Sequence, residues 1–177
     1  MNVLEVLKDA FAPFMDGEKK PLHVGEAMNL WFFLAQAEEA LRVEQVAYNT
    51  TQDHELKEKL GDLINNVHKP IIQEIKDFLL NESVPLPQGT PEKPMIDNPN
   101  QTVPEWARMS EEEIANFVVY KIILGINVAA RGLTEAVRAD VGMMFGKYII
   151  TKVSFSLTFR KLMEEKGWLK LPPYYNG

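Results

Sequence analysis

The sequence predicts an all-α protein, a ferritin-like four-helix bundle running up-down, long crossover, down-up, with a short N-terminal helical arm. Three observations carry this prediction. Four long stretches, at roughly 22–51, 53–80, 111–136 and 138–166, place apolar residues at helical 3-4 spacing. A connection over 81–110 with six prolines splits them into two pairs, and that density excludes a helix or an interior strand. Short loops within each pair make neighbours antiparallel, whereas a connection of this length can run the whole bundle and start the third helix parallel to the second.

Composition fits one domain with a sizeable core: 177 residues, 46% hydrophobic and 25% charged. Residues 1–21 read as an arm, with a short helix, a break at Pro13 and a turn at Asp16-Gly17; residues 22–177 read as the bundle domain. No secretory signal pattern is evident at the N-terminus. The uncharged run Ile122 to Ala130 is far short of a membrane span, so no membrane partner is expected. With no cysteine, the chain can form neither disulfides nor thiolate metal sites and has no Cys nucleophile. A cytoplasmic setting fits.

Charge divides the chain. Residues 1–113 hold 21 acids against 10 Lys or Arg, whereas 114–163 hold two acids and seven bases. The simplest consequence is attraction between the two halves of one bundle; a basic docking surface is the alternative. A sequence pI near 5.2 without aromatic–basic interleaving argues against nucleic-acid binding.

The first helix carries the stripe Val24, Ala27, Trp31, Leu34, Glu38, Leu41, Gln45, Tyr48, in which Glu38 and Gln45 are polar. The second starts at Asp53 as N-cap and runs through Leu56, Leu60, Leu63, Ile64, Val67, Ile71, Ile75 and Phe78. Pro70 interrupts it, which predicts a kink near Asn66, the carbonyl four residues back. Ser110 and Glu113 form a capping box for the third helix, and Gly132 and Asp140 punctuate its turn into the fourth. The fourth carries Val141, Met144, Phe145, Tyr148, Phe155, Phe159, Leu162 and Met163, and closes on Gly167. Helix 2 ends in Val84-Pro85-Leu86-Pro87 and helix 4 in Trp168 to Pro173, a faint repeat offset by about 84–87 residues.

A ferritin-like di-metal site takes one Glu from each of two helices and Glu-x-x-His from each of the other two. Here the first helix offers Glu38, with Glu39 and Glu44 beside it. The second offers His68, preceded at three residues by Asn65 rather than Glu. Folding the pair about the 51–53 turn sets His68 level with Ala35 to Glu39, predicting a Glu38–His68 contact. The middles of the last two helices supply Lys121, Asn127, Lys147 and Lys152, with neither acid nor histidine. A complete di-iron site is therefore not expected, and no cofactor is called for. A single divalent metal on Glu38, His68 and Glu44 or Glu74 is the alternative, set against a self-neutralising buried pair. His23 and Glu26, one turn apart, form a second metal candidate, with helix capping as the plainer role. No zinc-binding His pair, phosphate loop or nucleophile elbow occurs. The Met and aromatic stripe of helix 4 reads as core; a cavity on Met144, Tyr148 and Phe155 would indicate an apolar-ligand carrier.

Several segments together resemble a known family: His23-Val24-Gly25-Glu26 through Leu30-Trp31, Val67-His68-Lys69-Pro70, Val84-Pro85-Leu86-Pro87 and Arg138-Ala139-Asp140. The most telling is Leu162-Met163-Glu164-Glu165-Lys166-Gly167-Trp168, leading to Pro172-Pro173-Tyr174. They resemble a ferritin-like family of unknown function from endospore-forming bacteria, related to spore coat protein F. The resemblance implies a ferritin-like bundle, a forespore or coat setting for some members, coat proteins as partners, and no established enzyme activity. The expected function is thus a spore-coat-associated structural or interaction protein, with a metal-binding protein or metal-dependent enzyme as the alternative. Trp31, Phe32 and Phe33 cannot all face one core, which predicts a second contact surface and a homodimer.

Overall fold

A computed structural model describes residues 3–12, 20–97 and 103–175, so the Pro13 break and the Asp16-Gly17 turn lie outside the described residues. The elements are α1 (Val3–Phe11), α2 (Val24–Thr50), α3 (His54–Asp62), a π-helical turn (Leu63–His68), α4 (Lys69–Asn81), α5 (Glu111–Glu135) and α6 (Ala139–Glu165). A single 3-10 turn, Glu105–Ala107, lies in the crossover, and no strand occurs among the described residues. The arm helix α1 packs on α6.

Two of the predicted starts hold. The Asp53 carboxylate accepts from Leu56 N at 2.9 Å, and Ser110 and Glu113 form the reciprocal capping box of α5. The irregularity predicted near Asn66 is a π turn over Leu63–His68. Pro70 has no N–H for the Asn66 carbonyl, but the chain widens just before it: Lys69 N donates to Ile64 O, five residues back. α3, the π turn and α4 therefore continue one another, and the buried stripe runs Leu56, Leu60, Ile64, Val67, His68, Ile71, Ile75, Leu79.

The crossover does what its length predicts. α5 begins where α2 ends, with Glu111 accepting from Gln52 N at 2.9 Å, and finishes where α2 begins, with Asn29 donating to Glu135 at 2.8 Å. α5 is thus antiparallel to α2 and parallel to α3–α4. On its way the crossover lies along α2. Arg42 donates to Thr90 O, Gln45 accepts from Lys93 N, and Asn49 both donates to Pro94 O and accepts from Ile96 N. The predicted polar stripe members Glu38 and Gln45 are the seat of this strap rather than breaks in the core.

Three readings of the sequence need correction. Val24 heads the predicted first stripe yet is exposed, since it lies in the first turn with the core beginning at Glu26 and Leu30. Gly132 is not turn punctuation: it lies inside α5, where an added Cβ would come within 2.5 Å of the Phe145 ring. It permits close approach of α5 to α6, and the turn falls at 136–138. The charge-run reading also understates α5. Within Glu105–Glu135 an 18-residue window has a mean hydropathy of 1.5, long and apolar enough by composition to cross a membrane, and 28% of it is buried here. A scan for uncharged runs misses this window because isolated charges such as Lys121 interrupt it.

The faint repeat is structural. α4 and α6 end in the same hydrogen bond, Val84 N to Leu79 O and Trp168 N to Met163 O, each 2.8 Å. In both, the residue before the donor is left-handed: Ser83 at φ 59° and Gly167 at φ 72°. The offset between the two caps is 84 residues, and the same offset relates His68 to Lys152.

Candidate functional site

At the centre of the bundle three charged or titratable side chains from three helical segments form a line. Glu44 Oε2 lies 2.6 Å from His68 Nδ1, and His68 Nε2 lies 2.6 Å from Lys152 Nζ. All three are buried, Lys152 at 3% exposure. The π turn before Pro70 places His68 on the inward face beside Ile64 and Val67.

The geometry fixes the protons. A carboxylate on Nδ1 accepts, so Nδ1 carries the hydrogen, and Nε2 is left to accept from the Lys152 ammonium. Burial, helped by the adjacent lysine, pushes the His68 pKa below its ordinary 6.5, which keeps the ring neutral. Burial also pushes Lys152 down to about 8, against the pull of Glu44. Glu44 and Lys152 then cancel across a neutral imidazole. Glu44 Oε1 remains buried without a hydrogen-bond partner.

The predicted Glu38–His68 contact is not formed. Glu38 Oε1 instead meets Lys76 Nζ at 2.6 Å, roofed by Gly89, where an added Cβ would stand 2.8 Å from the carboxylate. The offset has a simple cause. Side chains lean toward the N-terminus of their own helix, so in a hairpin those of the first helix lean away from the turn and those of the second toward it. Reflecting Cα positions about the turn therefore pairs His68 with a residue too far from the turn; the true partner is Glu44, nearer to it. Glu74, the other candidate acid, pairs with Lys147 at 2.9 Å on the surface.

His23 and Glu26 come together as a capping box. Gly25 N donates to His23 Nδ1 at 3.1 Å, and His23 N donates to Glu26 Oε2 at 2.9 Å. The other oxygen of the buried Glu26 accepts from Val137 N and Arg138 N at 2.8 and 2.6 Å. Arg138 in turn forks onto Glu82, with two contacts of 2.9 Å, and onto Asp140. Acids at two hydrogen-bonded distances hold the guanidinium above its ordinary pKa. The segments at 23–26, 82–87 and 138–140 thus meet at one end of the bundle as a clasp.

Lys152 was legible as a residue and missed as a partner. It fills the gap in the α6 stripe Val141, Met144/Phe145, Tyr148, Phe155, Phe159, where a charged residue among apolar ones signals a buried cation needing an acceptor. The residues proposed for a carrier cavity, Met144, Tyr148 and Phe155, are packed core instead: Phe33 stacks on Tyr148 at 5.7 Å and Phe155 on Phe159 at 5.5 Å. A cavity of about 420 Å³ does exist, but between α2 and α5, with His68 and Lys152 at its floor.

A di-metal centre does not fit these residues. Among the described residues no group of three or more His, Asp and Glu converges, and the Nε2 lone pair that would ligate a metal faces an ammonium. The molecule is a ferritin-like helical bundle whose central polar site is closed by its own lysine.

Comparison with known proteins agrees on the fold. The crystal structure of a putative spore coat protein from Bacillus halodurans C-125 superposes with a TM-score of 0.82 at 25% identity, covering 89% of this chain and 98% of that one. A two-domain protein from Anabaena variabilis ATCC 29413, containing DJ-1/ThiJ/PfpI-like and ferritin-like domains, matches with a TM-score of 0.62 at 12% identity. That match covers 86% of this chain and 40% of that one, and it shows the fold alone. The uncharacterized protein YvdQ of Bacillus subtilis (strain 168) is 26% identical over 158 residues, covering 89% of this chain and 91% of that protein. Residues 12–176 match the family described as protein of unknown function (DUF3231), and the chain belongs to that family.

Proposed function

We propose that this protein is a spore-coat-associated structural or interaction module, a ferritin-like bundle whose central site serves as an internal Glu–His–Lys bridge rather than a di-metal centre. The observation that carries the reading is Lys152 Nζ at 2.6 Å from His68 Nε2, where it supplies from within the chain the positive charge that a metal would bring. Likeness to a putative spore coat protein over 98% of its length supports the setting. The proposal includes a cytoplasmic or forespore origin and a homodimer. Support for the dimer is the half-exposed Phe32 (51%), together with the exposed Tyr120 and Ile123 of α5.

The rival is a protein holding one divalent metal, or an enzyme using it, on Glu44 and His68 with Glu38. One observation favours it: Glu44 Oε1 is buried and unpartnered. Metal analysis of tag-free wild type, His68→Ala and Lys152→Ala decides between the two. The bridge reading expects no stoichiometric metal in any of them; near-stoichiometric iron, manganese or zinc lost on His68→Ala sinks it. A fluorescent fusion followed through sporulation in a Bacillus host tests the setting, and signal confined to the vegetative cytoplasm would remove the coat assignment.

A further inference from the structure

We propose that the cavity between α2 and α5 binds a small, mainly apolar molecule bearing one carboxylate, received at the cavity floor by Lys152 Nζ. The inference is independent of coat association. The cavity holds about 420 Å³, at the lower end of the range for small-molecule sites. Its apolar lining includes Phe33, Ala37, Ala40, Leu124 and Gly125, with Gln36, Glu39 and Lys121 as the polar members away from Lys152 and His68.

The floor is not apolar. An ammonium carries three N–H donors. Among the described residues the one acceptor within hydrogen-bond distance of Lys152 Nζ is His68 Nε2. Two donors remain on a side chain that is itself only 3% exposed, and a buried donor without a partner is costly. An oxygen inside the cavity satisfies them, and a carboxylate offers two.

Room for that oxygen is built into α5. A Cβ at Gly125 would stand 3.2 Å from both Lys152 Cε and Nζ, so the missing side chain keeps the approach to the ammonium open. Lys121 and Glu39 both line the cavity, and the Glu39 carboxylate accepts from the Thr90 hydroxyl at 2.7 Å. A carboxylate entering from the mouth passes one lysine and ends on another. His68, held from behind by Glu44, fixes where that second lysine stands.

Octanoate serves as the probe, with 1-octanol and octylamine as its neutral and cationic counterparts, in isothermal calorimetry on the full chain. Octanoate is expected to bind at least tenfold more tightly than either control. Gly125→Val, which fills the cavity beside Lys152 and keeps the Glu44, His68 and Lys152 side chains in the sequence, is expected to weaken it at least tenfold. Lys152→Met is expected to abolish the preference for octanoate over 1-octanol. Because Lys152→Met can lose its fold, Gly125→Val with an unchanged circular dichroism spectrum is the decisive variant. Equal affinity for octanoate and 1-octanol, octanoate binding unchanged in Gly125→Val, or no octanoate binding at millimolar concentration would each overturn the proposal.

Discussion

The two helix pairs end alike and differ in the middle. α4 and α6 close with the same left-handed cap and the same hydrogen bond, 84 residues apart. At equivalent positions between those caps, one pair carries His68 and the other Lys152, which meet at 2.6 Å. Two helices with the same terminal geometry have thus been given complementary chemistry. The acid-rich first pair supplies Glu44 and an imidazole, and the base-rich, acid-poor second pair supplies the cation. The same division recurs away from the centre, in Lys147 on Glu74, the buried Arg138 on Glu82 and Lys166 on Asp53. Attraction between the halves is therefore met contact by contact, with the costliest contact in the centre.

That comparison breaks most visibly at Lys152. Lys152→Met removes the cation and leaves Glu44 buried without compensation, so urea unfolding should show a loss of about 3–5 kcal/mol. Replacing all three members, Glu44→Leu with His68→Leu and Lys152→Met, should recover most of it, because an apolar trio of similar volume bears no desolvation cost. Failure of the triple variant to recover would mean that the bridge specifies the packing rather than merely neutralising itself.

Close approach of the second pair is tested at Gly132. The Phe145 ring leaves no space for a methyl group there, so Gly132→Ala should cost about 1–3 kcal/mol by overpacking, despite alanine's better helix propensity. A stabilised Gly132→Ala protein would show that α5 and α6 can part freely.

The pH dependence sharpens the histidine side. The folded pKa of His68 is lowered, so below 6.5 the unfolded chain takes up a proton that the folded one refuses. Stability from this group is full above 6.5 and falls as pH drops beneath it, by at most about 1.4 kcal/mol per pH unit until the folded value is reached. Stability measured between pH 7 and 5 should fall less steeply in His68→Gln than in wild type; identical slopes would place His68 in solvent.

The smallest effect lies at the caps. Ser83 bears a side chain at φ 59°, where Gly167 bears none at φ 72°. Ser83→Gly should stabilise by up to about 1 kcal/mol, and Gly167→Ser should destabilise by a similar amount. Opposite signs in thermal unfolding would establish the two caps as equivalents.

Much of the scaffold was legible because it depends on local rules. Helical spacing located all four long helices to within a few residues, Ser110 and Asp53 began α5 and α3 as capping chemistry requires, and Gly167 ended α6. The length of the proline-rich crossover made legible that α5 could run parallel to α3–α4, as it does. The site was legible only in part. His68, Glu44 and Lys152 were each visible as polar residues in or beside apolar stripes, but periodicity says nothing about which side chains meet across helices. Three tertiary features decided that. The π turn accommodated Pro70 and turned His68 inward; the lean of side chains in an antiparallel pair gave His68 to Glu44 and left Glu38 to Lys76; and the pseudo-repeat brought Lys152 opposite. Sequence sets what each helix must bury, whereas the register between helices is set by side-chain direction and close approach, and it was register that made the centre of this bundle a closed bridge.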